Sequence, residues 1–370
     1  AHTRVQGKRN VRLLFPFMDK KESLELKGIA ILLMLMLHLF NTQQRVAECT
    51  TFLYFWNGKP LVYALSRVGA FCVPLYIFIS GYGHGSILAA GRLDFKSACR
   101  RVAKLYIIYW VVFLPFIVWG CLAASESYPG SASEFLLNFI GVSCSYNNEW
   151  WFLFSYVLLV LFAPFFLPLM SQKAGDGTSR IKTGWIVFFI VIFILCQITR
   201  PLCKPYFSFL PFRIAFDTVA LSSMFVWGAA IALGGWLDID NRNKLKEKCA
   251  KIWGFPPSLC LLLIILVCCL LRMSLGPSFL NNNNIFVLIL LPLYLSMSRA
   301  RWWRDILCYF GVHSTNMWLC HTFFAYYICH DFIYGLSYPL LMFCVLVLLS
   351  LASSILLTPV QKALQKLFVR

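Results

Sequence analysis

Two histidines stand where so apolar a chain has little reason to carry them. His38 falls in the run LKGIAILLMLMLHLF, with no other polar side chain between Gly28 and itself. His321 follows CYFGVHSTNMWLC in a second apolar stretch towards the C-terminus. An ionisable group inside a membrane span is costly, so it has either a structural partner or a task. Imidazole is suited to moving protons near neutral pH. The structural alternative is a histidine hydrogen-bonded to a neighbouring helix.

Spacing adds further candidates. Lys27 precedes His38 by eleven residues, which on a helix is about 20° past three full turns and about 16 Å of rise. The two share one face, with the cation expected at the cytoplasmic edge and the imidazole deep in the membrane. The structural alternative for Lys27 is that it merely anchors the helix end. His313 lies on nearly the same face as His321 and is expected at the interface. In VPLYIFISGYGHG, Ser80-Gly81 with Gly83 and Gly85 permit close helix packing or a helix broken around a cavity. His84 reads there as a snorkelling side chain. Glu149-Trp150-Trp151 opens a later apolar run. Its tryptophans read as an interfacial anchor, and Glu149 as a solvated loop acid or a group facing an external substrate.

The elements that must position these groups are set by composition. Of 370 residues, 60% are hydrophobic and 13% charged. A soluble domain carries about twice that charged fraction. The expected fold is therefore an all-α integral membrane bundle of about ten transmembrane helices. The spans fall at roughly 28–46, 68–90, 105–124, 150–170, 183–199, 215–235, 256–272, 284–298, 306–328 and 336–358. A basic cytoplasmic segment, 1–27, precedes them, and a cytoplasmic tail, 359–370, follows. With the N-terminus inside, 26 of the 33 Lys and Arg fall on inner segments. The outer seven are Arg45, Lys59, Arg67, Arg200, Lys204, Arg213 and Arg272. That asymmetry is the positive-inside pattern, so the net charge of +18 needs no nucleic acid partner. The 15 cysteines lie mostly in apolar runs without metal-type spacing and read as small hydrophobes, with a Cys121–Cys144 disulfide left open. No cleavable signal peptide is expected.

These blocks resemble acyltransferase family 3, membrane proteins that O-acylate surface glycans and some other small or lipidated acceptors. The family's first span carries a basic residue, Gly-Ile-Ala and a His eleven residues after the basic one; here these are Lys27-Gly28-Ile29-Ala30 and His38. Lys stands for the usual Arg, and the two are not equivalent at bidentate phosphate sites. Val73-Pro74-Leu75-Tyr76-Ile77-Phe78-Ile79-Ser80-Gly81-Tyr82 matches the second block, and Arg100-Arg101-Val102-Ala103-Lys104-Leu105-Tyr106 the basic stretch after it. Trp151-Phe152-Leu153 and Gly311, Ser314, Met317, Trp318, Leu319 and His321 match the later ones. Trp318 replaces a Tyr, which puts any role of that hydroxyl in doubt. The ordered set spans about residues 27–321, in the form without an appended extracytoplasmic domain.

The resemblance implies acyl transfer from cytoplasmic acetyl-CoA or another acyl-CoA, as substrate rather than bound cofactor, to a glycan or other hydroxyl acceptor. It implies a multi-pass protein of a bacterial plasma membrane. His38 is then base or acyl carrier, and His321 orients the centre or relays the proton. Lys27, Arg100 and Arg101 hold donor phosphates, although inside-positive topology alone would also place those arginines. Ser80 or Ser314 meets the carbonyl oxygen. Glu149 and Trp151 are possible substrate contacts. No metal is expected. A secondary transporter or flippase of a glycan precursor is the alternative that ten spans and buried histidines also allow.

Overall fold

The structure, a computed structural model, describes residues 17–49, 55–123, 126, 128–173, 179–234, 239–275 and 283–369. The first sixteen residues of the expected basic segment and the terminal Arg370 lie outside these. Helix dominates. Two short antiparallel hairpins, Phe55–Trp56 with Lys59–Pro60 and Ser171–Lys173 with Ser179–Ile181, lie in turns. Ten helices at the expected spans carry the architecture: α1 (Lys20–Phe40), α2 (Cys72–Ala89), α3 (Phe95–Ala123), α4 (Trp151–Met170), α5 (Thr183–Cys203), α6 (Leu210–Leu233), α7 (Pro257–Ser274), α8 (Asn283–Ser296), α9 (Arg301–Thr322) and α10 (Pro339–Phe368), with a further polar helix, Ile239–Trp253, between α6 and α7. Each expected span overlaps one of them.

Eight helical segments are long and apolar enough to cross a membrane, and they contain α1 to α7 and α10. The chain is an all-α, multi-pass membrane protein. α8 is apolar but has only 14 residues. α9 is long enough at 22 residues, but too polar to count by hydropathy. Several of its polar groups are satisfied by the neighbouring α10. His313 Nδ1 lies 2.8 Å from Ser354 Oγ of α10. Asn316 and Gln361 exchange hydrogen bonds of 3.0 and 2.7 Å. His313, expected at the interface, is buried between α9 and α10 instead. From His313 onward α9 is enclosed by other helices and needs no lipid-soluble surface of its own.

α1 begins earlier than expected. Asp19 accepts from the Glu22 amide at 2.6 Å, and Glu22 accepts from the Asp19 amide at 3.0 Å, a capping box that starts the helix at Lys20. Lys27 therefore lies about two turns inside the helix rather than at its edge, and His38 falls in the last turn. The first turns are held by charge. Glu25 is wholly buried, 2.8 Å from Arg299 Nε and 3.2 Å from Arg304 Nε, and accepts from the Tyr294 hydroxyl at 2.7 Å. Glu22 takes Arg242 Nη2 at 2.8 Å and Arg299 Nη2 at 3.2 Å. At the other terminus, α10 runs on through the expected tail to Phe368.

Two crossings bring backbones into contact. A Cβ on Gly28 would sit 1.9 Å from the Leu307 carbonyl oxygen, and one on Gly311 2.0 Å from that of Leu24. α1 and α9 run parallel from this crossing. In the same way α2 meets α6, where a Cβ on Gly81 would lie 1.9 Å from the Phe225 oxygen and one on Gly228 2.2 Å from the Phe78 oxygen. Gly85 packs likewise, whereas Gly83 meets nothing within 4 Å. α2 is unbroken, so its glycines serve close packing on one face and leave room on the other. Gly81→Ala is therefore expected to lower the melting temperature of the detergent-purified protein, since overpacking costs about 1–3 kcal/mol. Gly83→Ala should leave it unchanged. Equal melting temperatures for the two variants would contradict this packing.

Candidate active site

α1, α2, α3, α4 and α9 line a cavity of about 290 Å³. Lys27, His38, Ser80, Arg101, Glu149, Trp151 and Ser314, all singled out from sequence, line it. Arg100 is exposed and lies outside the lining. His321 sits directly behind, its ring centroid 5.2 Å from that of His38.

His321 is wholly buried, with Nδ1 2.8 Å from the Trp318 oxygen and 3.2 Å from the Met317 oxygen. A carbonyl can only accept, so Nδ1 bears the proton and the neutral ring keeps its lone pair on Nε2. That Nε2 has no hydrogen-bond partner. His38 Nδ1 lies 3.6 Å from Glu149 Oε2. The separation is too long for a hydrogen bond but within the range that such pairs tighten on substrate binding.

Glu149 is not a solvated loop acid. Its side chain is only 15% exposed. Its Oε1 accepts from the Tyr326 hydroxyl at 2.7 Å, and its amide donates to Asn147 Oδ1 at 3.1 Å. The Trp318 indole donates to its carbonyl at 3.2 Å. The surrounding loop is bolted to α9: Asn147 Nδ2 donates to Thr322 Oγ1 at 2.6 Å, and Trp150 Nε1 to the Leu319 oxygen at 3.0 Å. Trp150 is therefore core, 1% exposed, rather than the expected interfacial anchor, and Trp151 faces the cavity. Trp318, where the family pattern has Tyr, supplies an N–H donor in place of the hydroxyl.

The serines differ in what they offer. Ser80 Oγ donates to the Tyr156 hydroxyl at 3.2 Å, and Ser314 Oγ to the Gly311 oxygen at 2.9 Å. His84, read as a snorkelling side chain, is 2% exposed, with Nδ1 2.8 Å from the Ser80 oxygen, and lines the cavity. At the opposite end from His38, no carboxylate of the described residues pairs with Lys27, whose carbonyl accepts from Tyr76 at 3.2 Å. The Cys121 and Cys144 thiols are free.

Tyr326 and Asn147 escaped the sequence reading. Tyr326 sits in a π-helical turn, Phe323–Tyr327, that continues α9. A regular helical period misplaces any residue beyond such a turn. Asn147 had a legible signal, since Asn before an apolar helix is a common cap.

A cavity lined by the His38 imidazole and a fixed carboxylate, with the His321 ring packed directly behind, inside a multi-pass helical bundle, is equipped for proton transfer away from bulk water. The acyltransferase domain of acyltransferase family 3 matches residues 22–359, and the chain belongs to that family. No curated protein and no solved structure matches it. The protein is thus a membrane acyltransferase. Tyr326→Phe removes the donor that fixes Glu149, and a hydrogen bond to a charged group contributes about 1.5–3 kcal/mol. The kcat for acyl transfer is expected to fall about tenfold or more with KM little changed. An unaltered kcat would separate Tyr326 from the site.

Proposed function

We propose that this protein is a membrane-bound O-acyltransferase that moves an acetyl group from cytoplasmic acetyl-CoA to a hydroxyl of an extracytoplasmic or lipid-linked glycan. The observation that carries the reading is the single cavity reaching from Lys27 to His38, about 16 Å apart along α1. One end offers cations to the donor's phosphates. The other offers a base. A ten-span path with both termini cytoplasmic, in a bacterial plasma membrane, suits this arrangement. The parallel pairing of α1 with α9 and of α2 with α6 fits such an alternating path.

The chemistry follows from the side chains. Glu149 favours a proton on His38 Nδ1, which leaves Nε2 to accept one. As the acceptor oxygen attacks the thioester carbon, His38 takes the hydroxyl proton. The serines stand towards the Lys27 end, since Tyr76, one turn before Ser80, already reaches the Lys27 carbonyl and Ser314 lies about 10 Å of rise before His321, so neither is assigned to the oxyanion at His38. Collapse breaks the C–S bond, and the imidazolium returns its proton to the departing thiolate. The products are the ester and the free thiol. His321, packed on the same ring, holds the orientation of His38 or relays its proton. Lys27 and Arg101 bind the donor; Arg100, outside the cavity, is left out of this role.

Purified protein in liposomes, given radiolabelled acetyl-CoA and envelope glycans, tests the reading. Wild type is expected to label glycan, and His38→Ala to do so at least about 100-fold more slowly. Equal labelling by both would remove His38 from the mechanism. Arg101→Gln is expected to raise the KM for acetyl-CoA about tenfold through loss of a charge-assisted contact, with Arg100→Gln near wild type. Equal KM values for the two variants would refute the division between these neighbours.

A further inference from the structure

The basic residues assigned to the outer side are few, and three of the seven have visible work. Arg200 and Arg213 lie 3.7 and 3.8 Å from Asp217. Arg45 stacks over Tyr326 at 4.9 Å and over Tyr334 at 5.7 Å. Lys204 is exposed. The remaining three, Lys59, Arg67 and Arg272, gather in one place. Inside-positive topology depletes cations on this side and gives no reason to cluster them there.

Lys59 and Arg67 line a second cavity, of about 380 Å³, with Trp56, Tyr63 and Ser274. It lies at the same end of the bundle as His38, because Ser66 Oγ donates to the Phe40 oxygen at 3.2 Å. The Trp56 indole donates to Ser274 Oγ at 3.3 Å and ties the hairpin Phe55–Pro60 to the end of α7. Arg272 stands one residue before the lining residues Met273 and Ser274. Arg272 is 3% exposed. Its Nε donates to Asn283 Oδ1 at 2.8 Å, while its buried Nη1 has no partner. The ionisable groups that act on it are Arg67 and Tyr63. Among the described residues, no carboxylate forms an ion pair with Lys59, Arg67 or Arg272. Burying a guanidinium beside a second one, with an unused donor and no anion among the described residues, is costly unless a counter-charge arrives.

We propose that this pocket binds a phosphate group, carried by an anionic lipid headgroup or by a soluble phosphate at the outer surface. Arg67 offers the fork that matches phosphate oxygens, Lys59 a mobile point charge, and Arg272 the fixed cation behind them. Trp56 and Tyr63 flank the site with rings suited to the headgroup level. The inference rests on charge placement alone and does not require the acyl-transfer reading.

Native mass spectrometry of the full-length protein, with phosphatidylglycerol and inorganic phosphate as separate probes, tests it. The double variant Lys59→Gln, Arg67→Gln changes only side chains with access to solvent, and an unchanged melting temperature will show that it is folded. The double variant Arg92→Gln, Lys96→Gln removes the same charge elsewhere. Phosphatidylglycerol retained by wild type and by the Arg92, Lys96 control, and lost about tenfold from the Lys59, Arg67 variant, would support a lipid phosphate site. The same pattern for inorganic phosphate, without lipid retention, would support a soluble phosphate. Binding that is equal in all three proteins, absent from wild type, or lost equally in the control would overturn the proposal.

Discussion

The site depends on the contact between two backbones. Where α1 crosses α9, Gly28 and Gly311 each face a carbonyl oxygen of the other helix, at distances no side chain could share. That approach fixes the register of two parallel helices. Ten residues after Gly28 comes His38, and ten after Gly311 comes His321. The equal spacing delivers both imidazoles to the same height, with ring centroids 5.2 Å apart. Lipid solvates apolar side chains as well as the protein interior does, so helix association here relies on close packing and polar contacts.

Charged groups occupy both ends of α1 with opposite results. At its start, Glu22 and Glu25 are saturated by Arg242, Arg299 and Arg304. Breaking such a buried network strands a charge and costs about 3–5 kcal/mol. This end is a lock. At its finish, Glu149 has one oxygen committed to Tyr326 and the other held near, but not bonded to, His38. The unspent capacity is what chemistry requires. A fully satisfied histidine would have no lone pair to offer.

Much of this was legible in the sequence. Apolar runs located the helices because no other solvent accommodates them. The eleven-residue interval from Lys27 to His38 put both on one cavity wall, since a helix repeats that face whatever its neighbours are. Local patterns failed where tertiary contacts decide. Glu149 looked like a loop acid because nothing nearby in sequence reveals Tyr326, and Trp150 looked like an anchor because its partner, the Leu319 carbonyl, lies on a helix far along the chain. His84 and His313 were placed by their distance from span ends, yet each is buried against a neighbouring helix. The start of α1 was set too late because a buried ion network replaces apolarity over its first turns.

The central claim is that one cavity takes the acyl donor from the Lys27 end and presents its carbonyl to His38. Cryo-electron microscopy of the protein with a non-transferable thioether analogue of acetyl-CoA tests it most directly. The account predicts the nucleotide phosphates at Lys27 and Arg101 and the acyl end of the pantetheine arm beside His38 and Glu149. An analogue bound elsewhere, or with its acyl end away from His38, would contradict it.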